Sequence, residues 1–266
     1  MAAVRPLSML SSTFIFLKGI GEATERRLWE CGIHSWEHFL AAPAIPGIPP
    51  ARKALYDREL ERAIKALDAR NARYFARLLK PRDHWRLFDT FRQTTAYVDI
   101  ETTGAPAGQG SITVVGLYGK QGMKTFIHGE SLDEAHLADE IASYDLLVTF
   151  YGSGFDLPFL RTQFPSLTLD HAHFDLCFAA RRLGYRGGLK ALEHHFGLAR
   201  PSAIQGLTGW DAVELWRAWQ AGDRTARNTL LAYNEADTKN LETLAEYVYQ
   251  AMVARHGFPH ISSLSS

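Results

Sequence analysis

Four carboxylates lie in settings that could place them around shared divalent cations. Asp99 and Glu101 are two residues apart in the segment TTAYVDIE, whose aromatic and β-branched residues predict a strand. Side chains two apart on a strand point to the same face, so both carboxylates can converge on one ion. Asp156 follows a second apolar strand, and Asp237 lies far downstream. Four acids from separate elements predict a two-metal site of the kind that nucleases use.

A second acidic pair has the same spacing but a different setting. Asp57 and Glu59 lie in a segment with helical periodicity. Positions two apart on a helix point about 200° apart, so these two carboxylates cannot easily share an ion. The strand setting therefore distinguishes Asp99 and Glu101, for which the alternative is a solvent-exposed strand end.

The other two candidates have simpler alternatives when each is taken alone. Asp156 stands between GSGF and LP, and it could be a helix N-cap with proline in the first turn. Tyr233 and Asp237 are four residues apart, so on a helix they project from one face. The alternative there is a tyrosine in a packing groove and an aspartate at the surface.

The elements that must position these residues begin at Thr94. Strands rich in Val, Ile, Thr, Tyr and Phe, separated by glycine-rich turns, predict an antiparallel meander over residues 95–100, 111–118 and 123–128. An apolar, buried strand is predicted over residues 145–150. Helices are predicted over residues 132–143, 156–164, 174–183, 189–196, 211–220 and 224–252.

The region before Thr94 is predicted to be helical. Gly19-Ile20-Gly21 forms a tight turn between apolar segments, Gly32 ends the helix that follows, and Ser35 caps the next one. This arrangement resembles a helix-hairpin-helix module. The resemblance implies that backbone N–H groups at the turn contact a nucleic-acid phosphate. The alternative is a plain helical hairpin with a glycine turn.

Charge is distributed unevenly along the chain, although the formal net charge is +0. Residues 1–95 carry 16 Lys and Arg against 10 Asp and Glu, and residues 96–266 carry 13 against 19. Arg26, Arg27 and the arm over residues 51–86 supply much of the basic excess, and this arm carries eleven basic and five acidic residues. Residues 51–79 of the arm are predicted to form one long helix. A basic binding arm joined to an acidic metal-binding domain fits this distribution. Ordinary charge scatter and a solvated helix face are the alternatives.

Three motifs together resemble those of the DEDD exonucleases of the RNase H-like superfamily. They are DIETTG at Asp99, FDLPFL at Asp156 and YNEAD at Tyr233. The second motif, and the later segments at Asp175 and Glu193, are most similar to the YprB-like predicted exonucleases. The resemblance covers residues 94–250. Many of these relatives carry an asparagine shortly before the second aspartate, where this chain has Tyr or Gly.

The resemblance implies a fold and a mechanism. The fold is α/β, an RNase H-like mixed sheet flanked by helices, with a small N-terminal all-α region. Two Mg²⁺ or Mn²⁺ ions are held by the four acids, one activating water and the other stabilising the leaving 3′ oxygen. Tyr233 marks the tyrosine subtype and orients the water. A phenol pKa near 10 argues against its being the base.

The sequence therefore predicts a metal-dependent 3′→5′ exonuclease, with DNA favoured over RNA as its nucleic-acid partner. The alternatives are a catalytically silent nucleic-acid-binding or scaffold module and a structure-specific endonuclease on the same fold. The predicted regions are a helix-hairpin-helix and basic arm (residues 1–93), the exonuclease domain (94–255) and a tail (256–266). The two cysteines lack the number and spacing of a disulfide framework or a zinc site. No apolar run is long enough to span a membrane, so a cytoplasmic location is expected, with a possible protein partner in DNA repair or processing.

Overall fold

A computed structural model describes residues 7–258. Residues 1–6, and residues 259–266 of the predicted tail, lie outside the described residues. Within the described range no helix is long and apolar enough to cross a membrane.

One mixed sheet organises the C-terminal part of the chain. Its strands are β1 (Thr95–Thr102), β2 (Ile112–Gly119), β3 (Gly122–Ile127), β4 (Leu146–Thr149) and β5 (Ala172–Asp175). They stand in the order β3-β2-β1-β4-β5. β2 is antiparallel to β1 and β3, whereas β1, β4 and β5 run parallel. The predicted α/β class with a mixed sheet is confirmed.

Helices precede the sheet and cover it on both faces. The helices are α1 (Glu22–Glu30), α2 (Trp36–Ala41), α3 (Pro50–Asp68), α4 (Ala72–Leu78), α5 (Phe88–Phe91), α6 (Glu134–Ala142), α7 (Asp156–Gln163), α8 (Leu176–Leu183), α9 (Leu189–His195), α10 (Gly209–Gln220) and α11 (Arg224–His256). Val98 and Ile100 of β1 belong to one buried cluster with α6 and α7, whereas Tyr97 belongs to another with α8 and α11. Short 3₁₀ helices cover Pro81–Leu87, Arg92–Thr94 and Ser202–Ile204.

Two local predictions were wrong. The single helix predicted over residues 51–79 is two helices, because Arg70 adopts a left-handed φ of 50° and the side chain of Asn71 caps α4. Residues 172–175 form β5 immediately before α8, where only a helix start was predicted. This strand has four residues, two of them His173 and Asp175, so it lacks the apolar run that signals a buried strand.

The N-terminal helices share a core with the sheet domain. Trp85 packs against Tyr249 of α11 with ring centroids 6.2 Å apart, and Phe88 packs against Phe174 of β5 at 5.6 Å. These contacts belong to one buried cluster that runs from the first helices to α11. The predicted boundary near residue 93 therefore crosses a continuous core.

Candidate active site

β1 directs two of the predicted carboxylates toward α11. Asp99 and Glu101 lie on the strand face opposite to Val98 and Ile100, as period-two alternation requires. The side chain of Asn234 on α11 donates to Oδ2 of Asp99 at 2.9 Å and to its backbone carbonyl at 3.3 Å. Glu101 is buried at the same face.

A glycine on the neighbouring strand allows α11 to approach this face. Gly116 pairs with Asp99 across β1 and β2. A Cβ atom at Gly116 would lie 2.2 Å from Oγ1 of Thr238 and 2.4 Å from Oδ1 of Asn234. The helix can therefore reach the Asp99 carboxylate only because residue 116 has no side chain.

The third carboxylate comes from the first turn of α7. Asp156 is buried, and its Oδ1 accepts a hydrogen bond from the backbone N–H of Ile100 at 3.2 Å. Phe155, not Asp156, occupies the N-cap position. The alternative of a simple helix cap is wrong, because the Asp156 carboxylate is directed at β1 between the two acidic residues of that strand.

The fourth carboxylate, Asp237, and Tyr233 lie one turn apart on α11, and both are buried. Asp237 is therefore not the surface aspartate of the alternative interpretation. Arg200 places Nη1 2.5 Å from Oδ1 of Asp237. Glu193 holds the same guanidinium through two bonds of 2.7 and 2.8 Å. Lys190 donates to the hydroxyl of Tyr233 at 3.2 Å.

Burial and crowding raise the pKa of each carboxyl group. Loss of hydration is the largest cause of the raised pKa of Asp99, and the charges of Glu101, Asp237 and Asp156 add to it. Loss of hydration, then Asp237 and Asp156, likewise raise the pKa of Glu101 well above its usual range. Burial raises the pKa of Asp156 to about 7, against two backbone N–H bonds that lower it. Burial also raises the pKa of Asp237 to about 6, although Arg200 opposes the shift.

This donor set fits divalent cations by its chemistry. The four carboxyl groups all have raised pKa values, and the charges of Asp156 and Asp237 contribute to the shifts of Asp99 and Glu101. A bound cation would neutralise this acidic cluster. The geometry differs from a finished metal shell, since no three His, Cys, Asp or Glu side chains within residues 7–258 are arranged around a common ion position. Asn234, the Ile100 N–H and Arg200 each engage a carboxylate oxygen instead. Metal binding would therefore require small reorientations, above all at Asp237.

An open pocket gives access to the carboxylates. Asp99, Glu101, Tyr233 and Asp237 line a cavity of about 440 Å³. Two aromatic side chains also line it and remain exposed, Phe155 at 40% and Trp210 at 62%. Exposed aromatic rings beside an acidic pocket offer flat apolar surfaces to a nucleobase.

Sequence reasoning missed the polar side chains that surround the four acids. Lys190, Glu193 and Arg200 lie on and after α9, and Asn240 of α11 donates to Oε1 of Glu193 at 2.8 Å. Asn234 lies inside the YNEAD motif but was assigned no role. Asn234 follows Tyr233 directly on a helix that also carries Asp237. That position was the only feature of the sequence that could have indicated a role for Asn234 at the site.

The residues predicted to bind nucleic acid form a separate surface. Gly19 has a left-handed φ of 92°, whereas Gly21 is extended and no atom lies within 4 Å of a Cβ placed there. Ile20 is buried, and Arg26 and Arg27 are exposed on α1. The turn lines a cavity of about 330 Å³ that shares no residue with the carboxylate pocket. The structure thus brings the five predicted catalytic residues together. The five predicted nucleic-acid-binding residues lie elsewhere.

The sheet order and the acidic face of β1 define an RNase H-like α/β protein. The RNase_H superfamily model matches residues 96–249, more than half of the chain. The chain therefore belongs to the RNase_H superfamily. Membership supports a nuclease-type function with nucleic acid as the substrate.

A solved structure shows the same fold. The family B DNA polymerase from the hyperthermophilic archaeon Pyrobaculum calidifontis matches with a TM-score of 0.50 and 18% sequence identity. The match covers 64% of this chain and 27% of the polymerase chain, so this chain spans about a quarter of that protein. No curated protein matches the chain significantly.

Proposed function

We propose that this chain is a metal-dependent 3′→5′ exonuclease of the DEDD type, tyrosine subtype, with DNA as the favoured substrate. The observation that carries the proposal is the convergence of Asp99, Glu101, Asp156 and Asp237 from three separate elements beside Tyr233. The open pocket with exposed Phe155 and Trp210 fits a nucleotide at the end of a strand. The four carboxylates would hold two divalent cations, Mg²⁺ or Mn²⁺. When bound, the cations would activate water and neutralise charge on the leaving 3′ oxygen.

Tyr233 contributes by orienting a nucleophile rather than by removing its proton. Burial raises its pKa, and the charges of Asp237, Glu101 and Asp99 raise it further, so the phenol stays protonated. Lys190 donates to the phenol oxygen, which leaves the hydroxyl hydrogen free to be donated into the pocket. A protonated phenol in this position can hold a water or a phosphate oxygen by a hydrogen bond.

Arg200 has a positioning role at Asp237. Its guanidinium bridges Asp237 and Glu193, and Asn240 holds Glu193 in turn. The bridge places one positive charge beside two carboxylates, so it offsets the charge of Asp237 only in part. A cation that takes Asp237 as a ligand must then share that carboxylate with Arg200.

The N-terminal hairpin is proposed to hold the nucleic acid away from the site of cleavage. The open space at Gly21 would let a phosphate reach the first N–H groups of α1, and Arg26 and Arg27 add exposed positive charge. This role is that of the helix-hairpin-helix module that the glycine turn resembles.

The polarity of cleavage tests the proposed activity. Purified protein is incubated with Mn²⁺ and with DNA or RNA labelled at either the 5′ or the 3′ end. A 5′ label should yield a ladder that shortens one nucleotide at a time, and a 3′ label should yield a labelled mononucleotide at the earliest times. Internal fragments without a ladder would instead indicate an endonuclease. Binding without cleavage of any substrate would indicate a silent binding module.

A further inference from the structure

The loop between β4 and α7 holds an exposed tyrosine in an uncommon backbone conformation. Tyr151 has a left-handed φ of 66°, which non-glycine residues adopt rarely and at a cost in free energy. The carboxylate of Asp175 fixes the loop. It accepts from the backbone N–H of Tyr151 at 2.9 Å, from the N–H of Ser153 at 3.0 Å and from the Ser153 hydroxyl at 2.6 Å. The strained loop is thus built to present the Tyr151 ring, which is 43% exposed.

Two side chains of α8 extend this ring into a larger aromatic surface. Phe178 is 42% exposed, and its ring centroid lies 5.9 Å from that of Tyr151. The guanidinium of Arg181 lies 5.5 Å from the Phe178 ring centroid and 5.9 Å from that of Tyr151. Within residues 7–258 no carboxylate forms an ion pair with Arg181. Two exposed rings and an unpaired cation therefore stand together at the surface.

A groove of about 580 Å³ adjoins this surface, lined by Phe178 and by Arg82, Arg181 and Arg182. Arg82 and Arg182 pair with Asp83, which leaves Arg181 as the cation available to a ligand. The acid that lines the groove, Asp175, is occupied by the loop N–H groups. Aromatic rings with arginine are the combination that binds unpaired bases and their phosphates, whereas the bases of a duplex are already stacked and paired.

The groove and the carboxylate pocket border the same short loop. Ser153 lines the groove, and Phe155, two residues later, lines the pocket that contains Asp99 and Asp237. Asp156 then supplies the third element of the acidic cluster. A strand whose end lies at the carboxylates can therefore continue across this loop to the aromatic surface.

We propose that Tyr151, Phe178 and Arg181 form a stacking subsite for unpaired bases of a single-stranded nucleic acid, upstream of the end that enters the carboxylate pocket. The subsite rests on the proposed exonuclease function for its placement, and it names that enzyme's substrate class as single-stranded nucleic acid. Arg181 pairs with the strand phosphates or stacks on a base, and the two rings hold the bases.

Binding is measured by fluorescence anisotropy of a labelled oligothymidylate in EDTA, where no cleavage occurs. Phe178→Ala should weaken binding roughly fivefold to a hundredfold, the range found for loss of one base-stacking aromatic residue. Phe178→Trp, which keeps an aromatic ring at this position, should bind oligothymidylate with the wild-type affinity. The matched control is Tyr247→Ala, which removes an equally exposed ring from α11 and should leave affinity unchanged.

An oligonucleotide with abasic sites separates stacking from charge. The wild-type protein should bind it more weakly than oligothymidylate of the same length, and this difference should be smaller for Phe178→Ala, which keeps Tyr151 but loses one of the two stacking rings. Equal affinity of the wild-type protein and Phe178→Ala for oligothymidylate would overturn the subsite, as would no detectable single-strand binding by the wild-type protein. Since this readout needs no cleavage, absence of nuclease activity would overturn the proposed function and leave the binding result intact.

Discussion

At the scale of single residues, the negative charges of the acidic cluster are only partly offset by neighbouring groups. Asp237 has a cation beside it in Arg200, whereas Asp99 has only the neutral amide of Asn234 and Asp156 only backbone N–H groups. Burial is the largest cause of the raised pKa of all four carboxyl groups, and these partners offset it only in part. Divalent cations are the simplest ligands that would offset the remaining negative charge.

Asp99→Asn or Asp237→Asn should abolish metal-dependent cleavage and leave the fold intact, because each removes one charge from the shared ligand set. The rate of cleavage in Mn²⁺ tests the loss of activity, and the circular dichroism spectrum tests whether the fold is intact. Asp57→Asn is the control. Asp57 pairs with Lys53 on α3 at 2.9 Å, away from the cluster, so cleavage by this variant should equal that of the wild type. Wild-type cleavage by Asp99→Asn or Asp237→Asn would refute the site.

Tyr233→Phe should slow the chemical step roughly 10- to 10³-fold, the cost of losing one group that positions a reactant. The ring remains packed, and the four carboxylates are untouched, so metal binding should persist. Single-turnover rates measure the loss, and titration calorimetry with Mn²⁺ measures the binding. An unchanged single-turnover rate would show that Tyr233 only fills space beneath Lys190.

At the scale of elements, the site depends on how closely α11 lies against the sheet. Gly116→Ala would place a methyl group against Thr238 and Asn234 and push the helix away from β2. We expect a loss of about 1–3 kcal/mol in the free energy of unfolding, the usual cost of overpacking. Urea unfolding measures it. Gly209→Ala is the control, since nothing lies within 4 Å of a Cβ there; equal stability of the two variants would contradict the close approach.

The junction between β5 and the Pro81–Leu87 helix should make the protein sensitive to acid. The backbone N–H of His173 donates to Nδ1 of His84, and burial lowers the pKa of both rings, that of His173 to about 4. His84 and Arg161 lower the pKa of His173 further, against Asp175. The native state favours the neutral ring of His173. Its contribution to the free energy of unfolding is therefore complete above pH 6.5 and is lost as pH falls toward 4.

The shift of His173 from 6.5 to about 4 corresponds to roughly 3–4 kcal/mol at most, from about 1.4 kcal/mol per pKa unit. Urea unfolding at pH 7, 5.5 and 4.5 measures the dependence. His173→Gln removes one of the two titrating rings and should make the profile less steep between pH 6.5 and 4. A variant profile as steep as that of the wild type would place the acid sensitivity elsewhere.

The sequence predicted the elements with strong periodicity and missed those set by distant contacts. Alternation in β1 correctly placed Asp99 and Glu101 on one face, and helical spacing correctly placed Tyr233 with Asp237. β5 was missed because its pairing with β4, not its composition, makes it a strand. Arg200 was missed because no local pattern indicates that a residue after α9 will reach α11.

At the scale of the whole molecule, the proposed binding hairpin is fixed to the catalytic domain. Arg86 forms an ion pair with Glu25 of α1 at 2.9 Å, with both side chains almost completely buried, so α1 is tied to the Pro81–Leu87 helix. Trp85 of that helix packs in turn against Tyr249 of α11. Deleting residues 1–92 would remove both charges together but would expose the Tyr249 side of the shared core, so a substitution at the turn is the better test of nucleic-acid binding.

Gly21→Val should weaken nucleic-acid binding without unfolding the hairpin. The residue is extended and has open space around its Cβ position, so the fold accepts valine while the side chain blocks a phosphate. Each lost phosphate contact should reduce the salt-dependence slope by about 0.9 for duplex or about 0.7 for single strands. Anisotropy titrations over a range of salt measure it. Ala221→Val at the end of α10 is the control, and equal affinity and slope in both variants would argue for a protein-docking role.

The continuous core that joins the hairpin to the sheet also fixes the distance between the proposed binding turn and the acidic cluster. Because Trp85 and Phe88 pack into the same core as Tyr249 and Phe174, the separation between the turn at Gly21 and the carboxylate of Asp99 is a constant of the fold. A strand held at the turn and cut at the carboxylates would have to be long enough to span that distance. Affinity should then fall in one step when the substrate becomes too short to reach both places.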